Sequence, residues 1–124
     1  MAVPAERPSS GPDHPPYVVG ARVAGPRADL QLHVDAGLGC FEGHFPGFPI
    51  LPGVIQIDWA VACARDYLAL SLPVKTLDRL KFTNPIQPGM KLELTLEMDE
   101  SGNFVLFRYH SGDTVFSVGR LNYA

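Results

Sequence analysis

Hydrophobic and polar residues alternate most regularly in the last third of the chain. Over residues 92–98, apolar side chains take every second position with glutamate or threonine between them, which is typical of a strand with one buried face. Turn sequences then bound two further predicted strands, 104–110 and 114–123. We expect the three strands to form an antiparallel meander, in which Gly119 indicates a bulge or a close backbone approach.

The first third of the chain predicts a hairpin followed by a long connection. Residues 17–23 are rich in valine, and after turn sequence at 24–27 a strand pattern returns at residues 30–34, with leucine or valine at alternate positions. Residues 36–53 show no periodicity. A loop of this length inside a compact domain is commonly functional.

One long apolar segment, residues 54–70, predicts a single helix that is covered on most sides. Gln56 and Asp58 are the polar interruptions of its first half. Residues 74–86 predict an edge or bulged strand, because Pro85 cannot donate a hydrogen bond to a sheet. One helix inserted among about six strands indicates the α+β class.

The composition fits one globular domain preceded by a flexible segment. Of the 124 residues, 46% are hydrophobic and 19% are charged, which is ordinary for a packed domain. Residues 1–16 contain five prolines among serine, glycine and aspartate, and they predict a flexible tail. Residues 17–124 are then expected to form a single domain.

Charge and cysteine content exclude several classes of protein. A net charge of −3 without any basic run argues against a nucleic-acid partner. No apolar segment approaches the length of a membrane span, and the N-terminus has no signal-peptide core. Cys40 and Cys63 are too few for a disulfide framework, so a reducing cytoplasm is the expected compartment.

The candidate chemistry lies in the loop of residues 43–53 and in the helix that follows it. Three prolines and three glycines give this loop both stiff and permissive points, so it can hold His44 at one fixed angle. A carboxyl that donates a proton must be neutral, and apolar surroundings would favour the neutral form of Asp58. With the Gly53 N–H at the helix start as an anion-binding donor, these groups suit removal of water from a β-hydroxyacyl thioester.

Each of these residues also has a structural interpretation. His44 alone could bind a backbone carbonyl, and Asp58 alone could be satisfied by a backbone N–H or by Arg79 or Lys81. Cys40 lies four residues before His44 and is better explained as a buried thiol than as a nucleophile. The joint functional interpretation is favoured because three separate coincidences would otherwise be needed. No metal site is predicted, since no ligand spacing on one element links the candidate ligands His33, His44, Asp58 and His110.

Two stretches of the sequence resemble a known family. Residues 44–54 are HFPGFPILPGV, an acid stands fourteen residues after the histidine, and residues 80–89 are LKFTNPIQPG. In these motifs the chain resembles the β-hydroxyacyl-acyl-carrier-protein dehydratases of the hot-dog fold, and among them the small dehydratases of aryl-polyene-type clusters. The resemblance runs from about Leu30 to the C-terminus.

The resemblance implies a curved antiparallel sheet of about six strands wrapped around one long central helix. It also implies a homodimer with two shared sites, or a heterodimer with a related subunit, in which His44 faces Asp58 of the other chain. His44 would be the base, Asp58 would act on the hydroxyl, and the Gly53 N–H would bind the thioester carbonyl. No metal or soluble cofactor is implied, because the substrate arrives on the phosphopantetheine arm of acyl carrier protein. The product would be a trans-2-enoyl thioester of fatty-acid, polyketide or aryl-polyene-type chain elongation.

This sequence departs from the family pattern at two positions. The acid is Asp58 rather than the glutamate of the broadly acting dehydratases, and Ala62 stands where a glutamine usually follows the acid by one turn. The Gln56 amide is the candidate to position Asp58 instead. Apolar residues near His44 are candidates for an acyl tunnel: Phe45, Phe48, Ile50, Leu51, Val54 and Trp59. Sparse basic residues are candidates for a carrier-protein docking patch: Arg65, Lys75, Arg79, Lys81 and Lys91.

Two other functions fit the same residues. One is an acyl thioesterase, in which Asp58 activates water or attacks the thioester. The other is a non-catalytic subunit that binds acyl chains or completes a heterodimer, which the presence of both His44 and Asp58 disfavours.

Overall fold

A computed structural model describes residues 16–36 and 50–123, and its elements follow the predicted order. The strands are β1 Tyr17–Ala24, β2 Arg27–His33, β3 Thr76–Phe82, β4 Lys91–Met98, β5 Phe104–Ser111 and β6 Thr114–Asn122, and the helix is α1 Gly53–Leu68. All six strands form one antiparallel sheet in the order β1-β2-β4-β5-β6-β3. The predicted hairpin, meander and α+β hot-dog class are confirmed.

The core lies between one face of α1 and the inner face of the sheet. Buried residues recur along the helix at helical spacing: Gln56, Trp59, Ala60, Cys63, Ala64, Tyr67 and Leu68. They join a cluster that includes Leu30, Leu94 and Phe107 from the central strands. The prediction that α1 is covered on most sides holds except along one stripe, where Val54 is 70% exposed and Asp58 and Arg65 are also exposed.

Strand β3 is an edge strand, as predicted, and it is also bulged. Its pairing with β6 shifts register between Asp78 and Lys81, where Arg79 takes a left-handed backbone with φ of 54°. The strand ends at Phe82, so Pro85 lies outside the ladder that it could not extend. Among the described residues, the outer edge of β3 has no paired strand, and its last residue, Phe82, lies next to the start of α1.

Gly119 marks a close approach, and it also lies opposite the bulge of β3, because Arg120 pairs with Asp78 and Val118 with Lys81. A Cβ at this position would lie 2.5 Å from Phe107 Cε2 and 2.6 Å from Leu80 Cδ2, so no side chain fits without moving its neighbours. A second register shift lies in the β5–β6 pairing, between Tyr109 and His110. Glycine here lets β6 pass directly under the Phe107 ring.

Two predicted boundaries shift by small amounts. The helix begins at Gly53 and ends at Leu68, two residues before the predicted end, because Ala69 adopts φ 57° and ψ 32°. The Leu70 N–H then bonds Ala64 O at 3.4 Å, which closes the helix end. At the N-terminal side, Pro16 is fully buried although it was assigned to the tail, and residues 1–15 lie outside the described residues. Within the described ranges, no helix is both long and apolar enough to traverse a lipid bilayer.

Ala69 offers a test of the helix end. The left-handed backbone costs an L-residue about 1–2 kcal/mol, and glycine avoids this cost. We expect Ala69→Gly to raise the free energy of unfolding by about 0.5–1 kcal/mol in denaturant titrations. Ala62→Gly, inside the same helix, is the matched control and should lower the free energy of unfolding by about 1 kcal/mol. A destabilised Ala69→Gly variant would contradict the observed cap.

Candidate active site

The start of α1 presents a backbone donor that the helix itself cannot use. Pro52 precedes the helix with φ −59° and ψ 146°, and among the described residues no side chain caps the first turn. The Pro52 carbonyl accepts from the N–H groups of Ile55 and Gln56, each at 3.1 Å. Gly53 is the first helical residue, so its N–H has no partner within the helix. This N–H lies at the positive end of the helix dipole, where a developing negative charge is stabilised.

A cavity of about 340 Å³ opens beside this helix start. It is lined by Ile50, Leu51, Gly53, Gln56, Phe82, Thr83, Asn84 and Pro85. A Cβ added to Gly53 would lie 2.9 Å from Phe82 Cζ, so glycine is what lets the Phe82 ring lie against the helix start. Phe82 is 48% exposed and forms the outer rim. The cavity is thus lined by the first residue of the helix and by an aromatic side chain from the end of β3.

The wall opposite the helix is fastened to β6. Thr83 and Asn84 donate their backbone N–H groups to Phe116 O at 2.9 and 3.2 Å. Their side chains donate to Val115 O, both at 2.8 Å. Four hydrogen bonds from two residues hold this segment after the strand pairing has ended.

Gln56 has a different role from the one predicted. Its side chain is buried, Nε2 donates to Leu51 O at 3.1 Å, and Oε1 accepts from Ser117 Oγ at 2.6 Å. Asp58 is two residues further along the helix, which turns it by about 200° to another face. The prediction that the Gln56 amide positions Asp58 is therefore wrong, because that amide is already bonded on the inner face.

Asp58 lies on the exposed face of the second helical turn. Burial is the main cause that raises the pKa of the Tyr109 hydroxyl, and the charges of Cys63 and then Asp58 add to this effect. The apolar surroundings that would keep the Asp58 carboxyl neutral are not provided by the described part of this chain. They have to come from elsewhere if Asp58 is the acid.

The predicted tunnel residues separate into three groups. Ile50 and Leu51 line the cavity, whereas Trp59 is 3% exposed and packs into the core. Val54 faces outward at 70% exposure. Further candidates lie outside the described residues: Cys40, His44, Phe45 and Phe48. Their roles stay predictions.

Phe82, Thr83 and Asn84 were not assigned to the site from the sequence. They belong to residues 80–89, the second stretch that carries the family resemblance, and that stretch is the sequence signal that could have identified them. Ser117 and Tyr109 were also missed, because a buried serine or tyrosine in a strand has no distinctive pattern.

The outer face of the sheet carries a separate polar cluster. Thr95 Oγ1 donates to Asp29 Oδ1 at 2.9 Å and lies 2.8 Å from His110 Nε2. Since Asp29 accepts the only hydroxyl proton, His110 Nε2 is the donor of the second bond. Burial, followed by the charge of Arg108, lowers the pKa of His110. The hydrogen bond from Arg27 is the main cause that lowers the pKa of Asp29.

The other described grooves lie away from the helix start. One of about 450 Å³ on the outer face is bordered by Arg79 and Arg108, and it contains none of the predicted catalytic residues. In residues 16–36 and 50–123, no three histidine, cysteine or acidic side chains come together in a way that could hold a metal ion.

Comparison with known proteins identifies the family. A family model described as "ApeI-like: ApeI dehydratase" matches residues 21–120. The chain belongs to this family of dehydratases. A solved structure titled the dehydratase heterocomplex ApeI:P from Xenorhabdus doucetiae superposes with a TM-score of 0.78 at 36% identity, covering 87% of this chain and 96% of that one.

Two relatives carry the name 3-hydroxyacyl-[acyl-carrier-protein] dehydratase FabZ. The protein from Campylobacter fetus is 45% identical over 71 residues, which cover 47% of this chain and 48% of the relative. The protein from Novosphingobium aromaticivorans is 32% identical over 103 residues, which cover 72% and 65%. The matches thus span about half to two thirds of the length of these relatives.

The outer-face cluster predicts a pH dependence of stability. Because the folded-state pKa of His110 is below its unfolded value of about 6.5, its stabilising contribution is complete above that pH. The contribution is lost as the pH falls through the folded pKa. We expect the free energy of unfolding to fall less between pH 7 and 5 in His110→Gln than in the wild type. His33→Gln is the matched control and should follow the wild type, whereas equal falls in all three would contradict the burial effect.

Proposed function

We propose that the chain catalyses the reversible dehydration of 3-hydroxyacyl thioesters, carried on acyl carrier protein, to trans-2-enoyl thioesters. The observation that carries the proposal is the family match over residues 21–120, which includes His44, Gly53 and Asp58. The cavity beside the Gly53 N–H supports it, because it gives a thioester carbonyl a place next to a backbone donor. The names of the relatives supply the substrate class.

In the proposed reaction His44 removes the proton next to the thioester carbonyl. Negative charge moves to the carbonyl oxygen, where the Gly53 N–H and the helix dipole stabilise it. The Asp58 carboxyl gives its proton to the β-hydroxyl, which leaves as water while the C2–C3 double bond forms. The reaction needs only these groups and the substrate on its phosphopantetheine arm. In the reverse direction each proton returns along the same path.

We propose further that the site is completed by a second chain. Asp58 is exposed and the edge of β3 has no strand beyond it among the described residues. A patch of apolar side chains lies along this edge and the helix start, and we call it the β3 patch: Val54, Leu77, Leu80 and Phe82. Unpaired strand edges and exposed apolar patches favour association. A second copy on the β3 patch would bury the outer face of α1 and bring apolar surroundings to Asp58.

The second chain is proposed to be another copy, with His44 of each chain facing Asp58 of the other. A related but different subunit is the second candidate, and the similar structure from Xenorhabdus doucetiae, titled a heterocomplex, favours it. Acyl carrier protein is the proposed substrate-bearing partner. The five basic candidates for its docking are all exposed and stay predictions: Arg65, Lys75, Arg79, Lys81 and Lys91. The cytoplasmic location predicted from the sequence also stays a prediction.

The catalytic assignment is tested by His44→Ala and Asp58→Asn. Loss of a general base or acid reduces rates by about 100- to 10,000-fold, so each variant should lose at least 100-fold in turnover. The assay follows hydration of an enoyl thioester and dehydration of a 3-hydroxyacyl thioester, both on carrier protein. Matched controls are His33→Ala and Asp113→Asn, which should keep wild-type rates.

Two outcomes of this assay would count against the proposal. Near wild-type turnover in either His44→Ala or Asp58→Asn would remove the residue from the mechanism. Release of free thiol with the 3-hydroxyl retained would identify a thioesterase instead of a dehydratase.

The assembly is tested by placing a charge on the β3 patch. Leu77 and Leu106 are equally exposed at 41%, but only Leu77 belongs to the patch. We expect Leu77→Glu to shift the mass measured by light scattering from dimer to monomer and to lower turnover, because a charge in an apolar interface is costly. Leu106→Glu should keep the dimer and the activity. A fully active monomer would contradict shared sites, and a Leu77→Glu dimer with full activity would contradict the β3 patch as the interface.

A further inference from the structure

Gln56 belongs to an unusual pair of buried polar groups. In the described residues, three polar side chains other than tyrosine are buried: Gln56, Thr95 and Ser117. Gln56 and Ser117 bond each other directly, although 61 positions separate them in the chain. An amide in an apolar core is costly unless it is hydrogen-bonded, so packing alone does not explain a glutamine at this position.

The orientation of the amide is fixed by its partners. Leu51 O can only accept, so Gln56 Nε2 faces it at 3.1 Å. Oε1 then faces Ser117 Oγ, which donates at 2.6 Å. The Gln56 backbone carbonyl accepts from the buried Tyr109 hydroxyl at 2.7 Å. Gln56 is thereby bonded to the segment before the helix, to β5 and to β6.

The backbone and the side chain of Gln56 bond the two peptide units that flank Pro52, directly before Gly53. The side chain of Gln56 holds the Leu51 carbonyl, and Leu51 N–H is held in turn by Ile86 O at 2.7 Å. The backbone N–H of Gln56 holds the Pro52 carbonyl, which shares a rigid peptide plane with the Gly53 N–H. Between these two fixed peptide units lie only the torsions of Pro52, one of which its ring locks. The peptide unit that carries the Gly53 N–H is therefore held through its own helical bonds, and the peptide unit before it is held by the Gln56 side chain.

The same anchor holds the opposite wall of the cavity. Ser117 follows Val115 and Phe116, whose carbonyls accept the four hydrogen bonds from Thr83 and Asn84. The donor at the helix start and the Phe82–Pro85 wall are thus both fastened to three consecutive residues of β6. The distance between the donor and the wall is fixed by one short piece of strand.

We infer that Gln56, held by Ser117, is a positioning residue that aims the Gly53 N–H at the thioester oxygen. The inference rests on the proposed dehydratase function. Gln56 would touch neither the substrate nor the proton being transferred. Its effect is to keep the donor in place as negative charge develops, where a displacement of about 1 Å costs about 100-fold in rate.

The test uses Gln56→Leu, Ser117→Ala and Thr95→Val in the full chain. Gln56→Leu removes both side-chain bonds at similar volume, and Ser117→Ala removes only the anchor. Thr95→Val is the matched control, because it removes a buried hydroxyl bond on the outer face. We expect kcat to fall about 100-fold in Gln56→Leu and about 10-fold in Ser117→Ala, with KM within about threefold of wild type. Thr95→Val should keep kcat within about twofold of wild type.

Coupling between the two positions gives a second readout. If both residues act through one contact, the double variant Gln56→Leu/Ser117→Ala should lose no more kcat than Gln56→Leu alone. Multiplied losses, or a folded Gln56→Leu with wild-type kcat, would overturn the inference. Should Gln56→Leu fail to fold, Gln56→Glu replaces it, since it keeps the acceptor for Ser117 and loses the donor to Leu51 O.

An NMR measurement separates this inference from the proposed function. The Gly53 amide resonance should shift in Gln56→Leu and Ser117→Ala and stay unchanged in Thr95→Val, whether or not the protein turns over a substrate. An unchanged Gly53 resonance in the first two variants would overturn the positioning role. A wild type that shows this pattern but has no dehydratase activity would refute the proposed function alone.

Discussion

Burial of a single face of α1 is the constraint on which the rest of this structure depends. The inner face, from Gln56 to Leu68, fills the concave side of the sheet and completes the core of the chain. The outer face carries a stripe of exposed residues, Val54, Asp58 and Arg65, which the described part of this chain leaves uncovered. Both the location of the candidate acid and the proposed association with a second chain follow from this constraint.

The candidate reaction site lies at the start of this packed helix. Pro52 and Gly53 carry no capping side chain, and the first N–H of the helix has no partner within the helix itself. The missing Cβ at Gly53 also admits the Phe82 ring, which brings the end of β3 to the same cavity. One glycine therefore serves two purposes, as a donor and as space for the wall.

The sequence predicted the fold well because its strands and its helix have clean patterns. Alternation over residues 92–98 and the mainly apolar segment of α1 defined the elements to within two residues at most ends. The end at Leu68 was missed because Ala69 has no sequence signal for a left-handed backbone, which glycine would have given.

The candidate site was only partly predictable, since its parts meet through tertiary packing. Gly53 was recognised from its place before the apolar segment, and it does lie at a cavity. The burial of Asp58 was overestimated, because an apolar neighbourhood in sequence does not say which helical face is covered. Gln56 was assigned to Asp58 by proximity along the chain, whereas helical rotation turns it toward Ser117.

The bonds around Gln56 also bear on how the chain folds. Hairpins of β4, β5 and β6 join near neighbours in sequence, whereas Gln56 bonds Tyr109 and Ser117 across 53 and 61 positions. Closing such long loops is entropically more costly than forming a hairpin, so we expect these contacts to form late. The oriented donor would then exist only after the whole sheet has assembled, and partly folded chains would be unable to bind the thioester oxygen.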